Sequence, residues 1–309
     1  MKKRTDKNRD KIKLRFLGVR GSRPCHRRDL LVHGGNSTSL EIVVDDDFYL
    51  FIDGGSGLVH RGIELSEESK HKKFHILVTH THWDHILGFP FFEPLYNPEN
   101  QVNFYASNTS RATFYDLFFG LQRAQNLPVP SSQFKAKLRF ETIKPAQCFQ
   151  VENKVRVETF QLNHQGVTLA FKISRGEDSV VVVTDNAPMI PGNWIGEGME
   201  EIAKPNPDEF MADFEQRLVD FLRGAHTVVF DSHFTEKNLK PDWGHTTAER
   251  ALDFCIKAAS KRLILFHHAP EDSDTQVDAK VQGIFTRALR HGIEVVAARE
   301  GDEWDLRCA

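Results

Sequence analysis

The sequence predicts an α/β protein whose sheets carry helices on their outer faces, and three observations lead there. Short runs rich in β-branched and aromatic residues recur along the chain, too many for a helical bundle. Amphipathic helical patterns lie between the later runs. The densest group of polar, chemistry-bearing residues follows an apolar run directly, where α/β folds place their sites.

Residues 1–11 read as a basic, solvated tail. The stretch MKKRTDKNRDKIKLR carries eight basic residues against two acidic, and no apolar segment follows that would make it a secretory signal. Strands are expected at IKLRFLGV (12–19), TSLEIVV (38–44), FYLFID (48–53), FHILVT (74–79), VRVETFQL (155–162), VTLAFKI (167–173), SVVVVTD (179–185), TVVFD (227–231), RLILF (262–266) and IEVVA (293–297). Helices are expected over 213–222, with Phe214, Leu218, Phe221 and Leu222 on one face, and over 248–259, with Ala251, Leu252, Cys255, Ile256 and Ala259. Thr246 and Glu249 match a capping box, which places His245 just before a helix N-terminus. With no internal repeat or low-complexity linker, residues 12–309 are expected to form a single domain.

Two segments differ in charge. Residues 101–150 carry six basic residues against two acidic, together with FYDLFFGLQ (114–122) and the turn-rich LPVPSS (127–132), whereas residues 186–226 carry eight acidic against three basic. The first segment is expected to be an insert serving as a lid or dimer contact, or else a helix packing its Phe face on the core.

Composition bounds the function. A 309-residue chain with 40% hydrophobic residues, 27% charged residues and a net charge of -3 is an ordinary globular protein. Its charge argues against a general nucleic-acid binder while leaving local basic patches available. No run approaches the roughly 20 apolar residues of a membrane span. Cys25, Cys148, Cys255 and Cys308 form no CxxC pair, which suits reduced thiols and a cytoplasmic location better than disulfides or metal ligation.

HTHWDH (80–85) follows FHILVT directly and crowds His80, His82, Asp84 and His85 into six positions. Each would need a partner if the segment were ordinary core. An HxH pair can direct both rings to one borderline ion such as Zn²⁺, and the next two donors then call for a second ion. A polar turn with merely hydrogen-bonded histidines is the bland alternative, and the density of donors at a strand end argues against it.

HTHWDH resembles the HxHxDH signature of the metallo-β-lactamase superfamily, and FLGVRGSRP, HGGNSTSLEI, FIDGGSG, NHQG, VVVTDNA, WGHTTAERA and LFHHAPEDSD resemble its ribonuclease-Z-like and phosphodiesterase-like branch. The resemblance spans about residues 14–275 and implies an αββα sandwich of two mixed sheets flanked by helices. It implies two divalent metal ions, Zn²⁺ or Mn²⁺, one held by His80, His82 and His164 and the other by Asp84, His85 and a late histidine, with Asp185 as the bridge. His164, Asp185 and His267 each follow an expected strand, which supports the set independently. LFHHAP leaves His267 and His268 as candidates for the late ligand; the branch pattern selects His267 and leaves His268 nearby. Asp53 resembles a carboxylate that orders the metal-bearing loop without binding metal, and Gly54 and Gly55 are expected to let the chain turn tightly. RGS (20–22) and HGGN (33–36) are expected to line the site, with Asn36 and Ser37 as hydrogen-bonding candidates, although GGN is equally readable as a turn.

Paired ions with a bridging hydroxide suit hydrolysis of a phosphodiester, whose oxygens need neutralising. His245 resembles the histidine that meets the phosphate and protonates the leaving oxygen in ribonuclease-Z-like enzymes, and Asp231 is placed to orient it. Asp84 is included with His245 and Asp231 among the catalytic candidates. The expectation is a metal-dependent phosphodiesterase acting on a small phosphodiester, a cyclic nucleotide for example. A ribonuclease-Z-like RNA 3′-end endonuclease, a thioester hydrolase of the glyoxalase II type and a non-enzymatic metal-stabilised binding module are the alternatives. The acidic 186–226 segment disfavours the endonuclease, which needs a basic arm for tRNA. The resemblance also implies a homodimer.

Overall fold

The computed structural model describes residues 12–45, 47–67, 72–121 and 131–306. The basic tail, Cys308 and most of LPVPSS lie outside these residues. Six strands build most of a first sheet: β1 (Lys13–Gly18), β2 (Ser39–Val43), β3 (Tyr49–Ile52), β4 (Lys73–Leu77), β5 (Gln101–Ala106) and β6 (Lys137–Thr142). Seven build the second: β7 (Cys148–Val151), β8 (Val155–Gln161), β9 (Leu169–Arg175), β10 (Asp178–Val183), β11 (Thr227–Asp231), β12 (Arg262–Phe266) and β13 (Glu294–Ala297). A last strand, β14 (Glu303–Asp305), returns to the first sheet. The orders are β14-β1-β2-β3-β4-β5-β6 and β13-β12-β11-β10-β9-β8-β7, each sheet mixing antiparallel and parallel pairs.

Helices α1 (Gly57–Ser66), α2 (Trp83–Ile86) and α3 (Phe114–Leu121) pack on the outer face of the first sheet, while α4 (Met199–Ala203), α5 (Pro207–Leu222), α6 (Ala248–Ala258) and α7 (Asp274–Arg290) cover the second. The result is the αββα sandwich. Strand alternation divides its hydrophobic layers: on β10, Val180 and Val182 face the inter-sheet core, whereas Val181 and Val183 lie under the helices. All four are fully buried, each contributing about 1.5–3 kcal/mol relative to exposure.

Several sequence expectations change. The 101–150 segment is not a free insert, because its two ends are β5 and β7 and β6 lies between them. Phe114 and Phe118 of α3 are buried among Phe89 and Phe104, so these aromatics pack on the core. The cap of α6 is Thr247, whose hydroxyl accepts from the Arg250 amide at 3.2 Å. Thr246 stands one residue before the cap, its amide donating to Asp231 Oδ2 at 3.1 Å. The expected 213–222 helix starts six residues earlier, at Pro207, where the side chain of Asn206 caps the Glu209 amide.

Register brings the chemistry to one edge. Val183 pairs with Phe230 and Asp231 with Phe266, so Asp185, Asp231 and His267 stand at the carboxyl ends of three adjacent parallel strands. Across the sandwich β3 and β4, also parallel, end just before Asp53 and the HTHWDH segment.

Candidate metal centre

Two groups of potential ligand atoms meet at this edge. His80, His82, His164 and Asp185 form one, and Asp84, His85, Asp185 and His267 the other; within each group the donor atoms lie within 4.8 Å of one another. In the first, His82 Nδ1 stands 3.0 Å from His80 Nε2 and 3.1 Å from His164 Nε2. Nitrogens sharing one tetrahedral Zn²⁺ would stand about 3.3 Å apart, given Zn–N near 2.05 Å. The two oxygens of Asp185 divide between the groups. Oδ2 is 3.6 Å from His80 Nε2 and 3.5 Å from His164 Nε2, whereas Oδ1 is 3.3 Å from His85 Nε2 and 3.2 Å from His267 Nε2. Asp84 Oδ2 lies 3.2 Å from both His85 Nε2 and His267 Nε2.

Divalent ions fit this donor set. His85 Nε2 and Asp185 Oδ1 are buried without a hydrogen-bond partner, an arrangement that is costly unless something else satisfies them. Surrounding groups turn the ring nitrogens inward. His85 Nδ1 donates to Asp53 Oδ2 at 2.7 Å, His80 Nδ1 lies 3.1 Å from the Thr79 hydroxyl, and His164 Nδ1 donates to the Gly244 carbonyl at 2.9 Å. Asp53 also accepts from the amide and hydroxyl of Thr79 at 2.7 and 2.8 Å, tying together the segment that carries HTHWDH.

The electrostatics are those of a tightly coupled cluster. Burial alone would raise Asp185, but the imidazoles of His267, His85, His80 and His164 hold its carboxyl well below the usual range. Asp84 likewise stays low against its burial, through His85 and His267. Burial pushes His85 down, and the carboxylates of Asp84, Asp185 and Asp53 outweigh it, raising this imidazole well above its ordinary value. Burial keeps His80 far below the ordinary value, and His164 falls to about 4 for the same reason.

Beside both groups sits His245, its ring centroid 4.9 Å from that of His267 and 5.6 Å from that of His164. Its Nδ1 lies 3.3 Å from Asp231 Oδ2 and 3.8 Å from Asp185 Oδ2. Burial lowers this imidazole, and Asp231 reverses the effect, so its pKa rises above the ordinary value. Asp231 is in turn fixed by the amides of Thr246, Asn186 and His233.

His267 and His268 separate clearly. His267 adopts φ 57° and faces the carboxylates, whereas His268 directs Nε2 to the Ala298 carbonyl at 3.1 Å and packs edge-on against His33. Asn36 and Ser37 hydrogen-bond within the surrounding loops. The amide and side chain of Asn36 are held by Glu300, its Oδ1 accepts from the Ser56 hydroxyl at 2.9 Å, and Ser37 Oγ accepts from the Ser56 amide at 2.9 Å. They are loop fasteners because the strand-to-loop crossing consumes their hydrogen bonds. Arg20 is fully buried with its guanidinium on the carbonyls of Gly34, Ala269 and Asp272, so of RGS it is Ser22 that meets a candidate ligand carboxylate: its amide donates to Asp84 Oδ2 at 2.7 Å. Gly54 and Gly55 serve close packing instead of a left-handed turn, since a Cβ at Gly55 would stand 2.3 Å from the Asp84 carbonyl oxygen.

Sequence reasoning placed Ser22 near the site only as part of RGS, without its amide's role, and missed Thr79, Gly244 and His233. A backbone amide carries no side-chain signature, but Ser22, Asp53 and His267 all have positive φ without being glycine, and such backbone collects at functional sites. A third group, His233, His245 and His267, also brings ring nitrogens within 4.8 Å of one another.

The fold matches that of the metallo-β-lactamase-fold protein YhfI from Bacillus subtilis, with a TM-score of 0.67 and 16% identity over 96% of this chain and 99% of that one. It also matches yeast PDE1, with a TM-score of 0.64 and 13% identity over 96% and 100% of the two chains. In sequence the chain is 26% identical to ribonuclease Z of Pyrococcus abyssi, over 85% of this chain and 88% of that protein. Fold, relatives and paired His/Asp clusters together define a metal-dependent hydrolase of the metallo-β-lactamase superfamily, in its ribonuclease-Z-like and phosphodiesterase-like branch. Residues 35–191, half of the chain, match the family model described as anti-Pycsar protein Apyc1. The chain belongs to that family.

Proposed function

We propose that this chain is a phosphodiesterase that hydrolyses a small phosphodiester, of the cyclic-nucleotide kind, with the help of two divalent ions, Zn²⁺ fitting the nitrogen-rich first group best. The observation that carries the reading is the position of His245 beside both candidate ligand groups, with Nδ1 on Asp231. When bound, a pair of divalent ions supplies nucleophile activation and neutralises the non-bridging oxygens of the phosphodiester.

His80, His82, His164 and Asp185 would hold one ion, and Asp84, His85, Asp185 and His267 the other. Asp53 keeps the His85 proton on Nδ1, so that Nε2 presents a lone pair. His245 acts as general acid: with Nδ1–H on Asp231, its Nε2 proton goes to the leaving oxygen as water adds to phosphorus and the ester P–O bond breaks, and the proton that the water gives up to solvent restores the imidazolium. Asp231 orients that ring and favours its charged form.

The RNA endonuclease is the second reading, favoured by the ribonuclease Z relatives. Against it, the acidic 186–226 segment supplies α4 and α5, whose Met199, Phe210, Phe214 and Leu218 pack on the second sheet in place of a projecting basic arm. Free Cys25, Cys148 and Cys255 accord with a reducing, cytoplasmic setting, and a homodimer remains part of the reading through the family resemblance. Metal content measured alongside turnover of bis-p-nitrophenyl phosphate, 3′,5′-cyclic nucleotides and a tRNA precursor tests it. A chain holding two ions yet inert toward all phosphodiesters would refute the enzyme, and equal rates on tRNA and cyclic nucleotides would refute the substrate ranking.

A further inference from the structure

Lys280 lies on α7, a helix that contributes no side chain to either candidate ligand group, and it is only 5% exposed. Its ammonium donates to the carbonyls of Ser232 and His233 at 2.8 and 2.7 Å and forms an ion pair with Asp272 Oδ2 at 2.6 Å. Two hydrogen bonds and an ion pair hold this buried charge. An apolar side chain of similar volume fills such a place at lower desolvation cost, so the ammonium's distinctive effect is positional. It ties the segment after β11 to the segment after β12.

The segment after β11 carries His233, which is 1% exposed and whose Nδ1 has no hydrogen-bond partner. Both of its backbone polar groups are held, the amide by Asp231 Oδ1 at 2.9 Å and the carbonyl by Lys280. Its ring lies against that of His245 with centroids 4.4 Å apart and planes 15° from parallel, while Phe234 meets it edge-on at 4.7 Å. Asp231 fixes an edge of the His245 ring through Nδ1, and His233 supplies its face. An edge contact alone leaves rotation about the hydrogen-bond axis; a parallel face removes it.

We propose that His233 is a positioning residue for His245, a flat shelf that sets the plane of the proton-donating ring, and that Lys280 holds this shelf in place from α7. The proposal rests on the phosphodiesterase reading, in which His245 protonates the leaving oxygen. It assigns His233 no metal and no contact with substrate.

The test compares wild type, His233→Ala, His233→Phe and Lys280→Met as full-length, metal-loaded proteins. Two substrates are used: a 3′,5′-cyclic nucleotide, whose sugar oxygen needs a proton to leave, and bis-p-nitrophenyl phosphate, whose nitrophenolate leaves without one. His233→Ala and Lys280→Met are expected to lower kcat on the cyclic nucleotide ~30-fold, a fraction of what a general acid supplies, with KM within about twofold. On bis-p-nitrophenyl phosphate the loss is expected to stay within about threefold. His233→Phe keeps a flat ring and recovers most of the loss. Wild type inert on both substrates overturns the phosphodiesterase reading itself. An active wild type with equal losses on both substrates, no loss, or His233→Phe as damaged as His233→Ala overturns the shelf. A fall in bound metal in His233→Ala makes His233 a ligand and also overturns it. Should Lys280→Met fail to fold, the alanine and phenylalanine variants still decide the role of the ring.

Discussion

The carboxylate of Asp53 and the imidazole of His85 are both fully buried and meet at 2.7 Å, the Nδ1–H donating to Oδ2. Because Asp53 also receives the amide and hydroxyl of Thr79, one carboxylate orients a candidate ligand and the strand end that delivers it.

Asp53→Asn should therefore act on metal rather than on fold alone. The amide keeps the volume but loses the charge that complements His85, and affinity for the ion in the Asp84/His85/His267 group is expected to fall about 10–100-fold. Competition with a chromophoric chelator measures it. Unchanged affinity for both ions would remove Asp53 from this role.

Asp185 and His267 should differ in reach. Since Asp185 divides its oxygens between both groups, Asp185→Ala is expected to weaken both ions, whereas His267→Ala should weaken one. Metal per chain after gel filtration reads the difference, and identical stoichiometry in the two variants would contradict the bridge.

His245→Ala should lower kcat on a cyclic nucleotide by about 10²–10⁴ while leaving two ions bound. The same variant on bis-p-nitrophenyl phosphate should lose far less. Full cyclic-nucleotide turnover with intact metal would eliminate the proposed acid.

A separate prediction concerns His75, away from the candidate ligands, where Nδ1 meets the Tyr105 hydroxyl at 3.0 Å. Burial lowers this imidazole to about 4, with Glu152 opposing. The unfolded chain binds the proton first as pH falls below about 6.5, so stability declines from there and the decline ends near the folded value. The full loss amounts to about 3 kcal/mol. His75→Leu removes the titration, and denaturant curves between these limits should show a shallower pH slope than wild type. Parallel slopes would count against it.

Much of the site was legible because its donors are concentrated at strand ends. HTHWDH, His164, Asp185, Asp231 and His267 each follow an apolar run that the structure makes a strand. Less legible were β5, β6 and β7. In QVNFYA the polar Gln101 and Asn103 interrupt the apolar residues, whereas KLRFET, which alternates with charge, and the short CFQV are edge strands that resemble solvent-facing polar sequence. Asn36 and Ser37 were legible as hydrogen-bonding residues but their partners were not, because the same residue types serve whether they face a ligand or, as here, Glu300 and Ser56. The cap falls on Thr247 and not Thr246 because two adjacent threonines offer the same capping group, and the sequence does not say which one precedes the first helical turn.

The candidate ligands come from both sheets, with His80, His82, Asp84 and His85 following β4 and His164, Asp185 and His267 following β8, β10 and β12. During synthesis the first four emerge nearly two hundred residues before the last. Neither donor set closes until the two sheets dock. A chain ending before β12 therefore lacks His267 and leaves the second candidate group incomplete, while every member of the first group is already present.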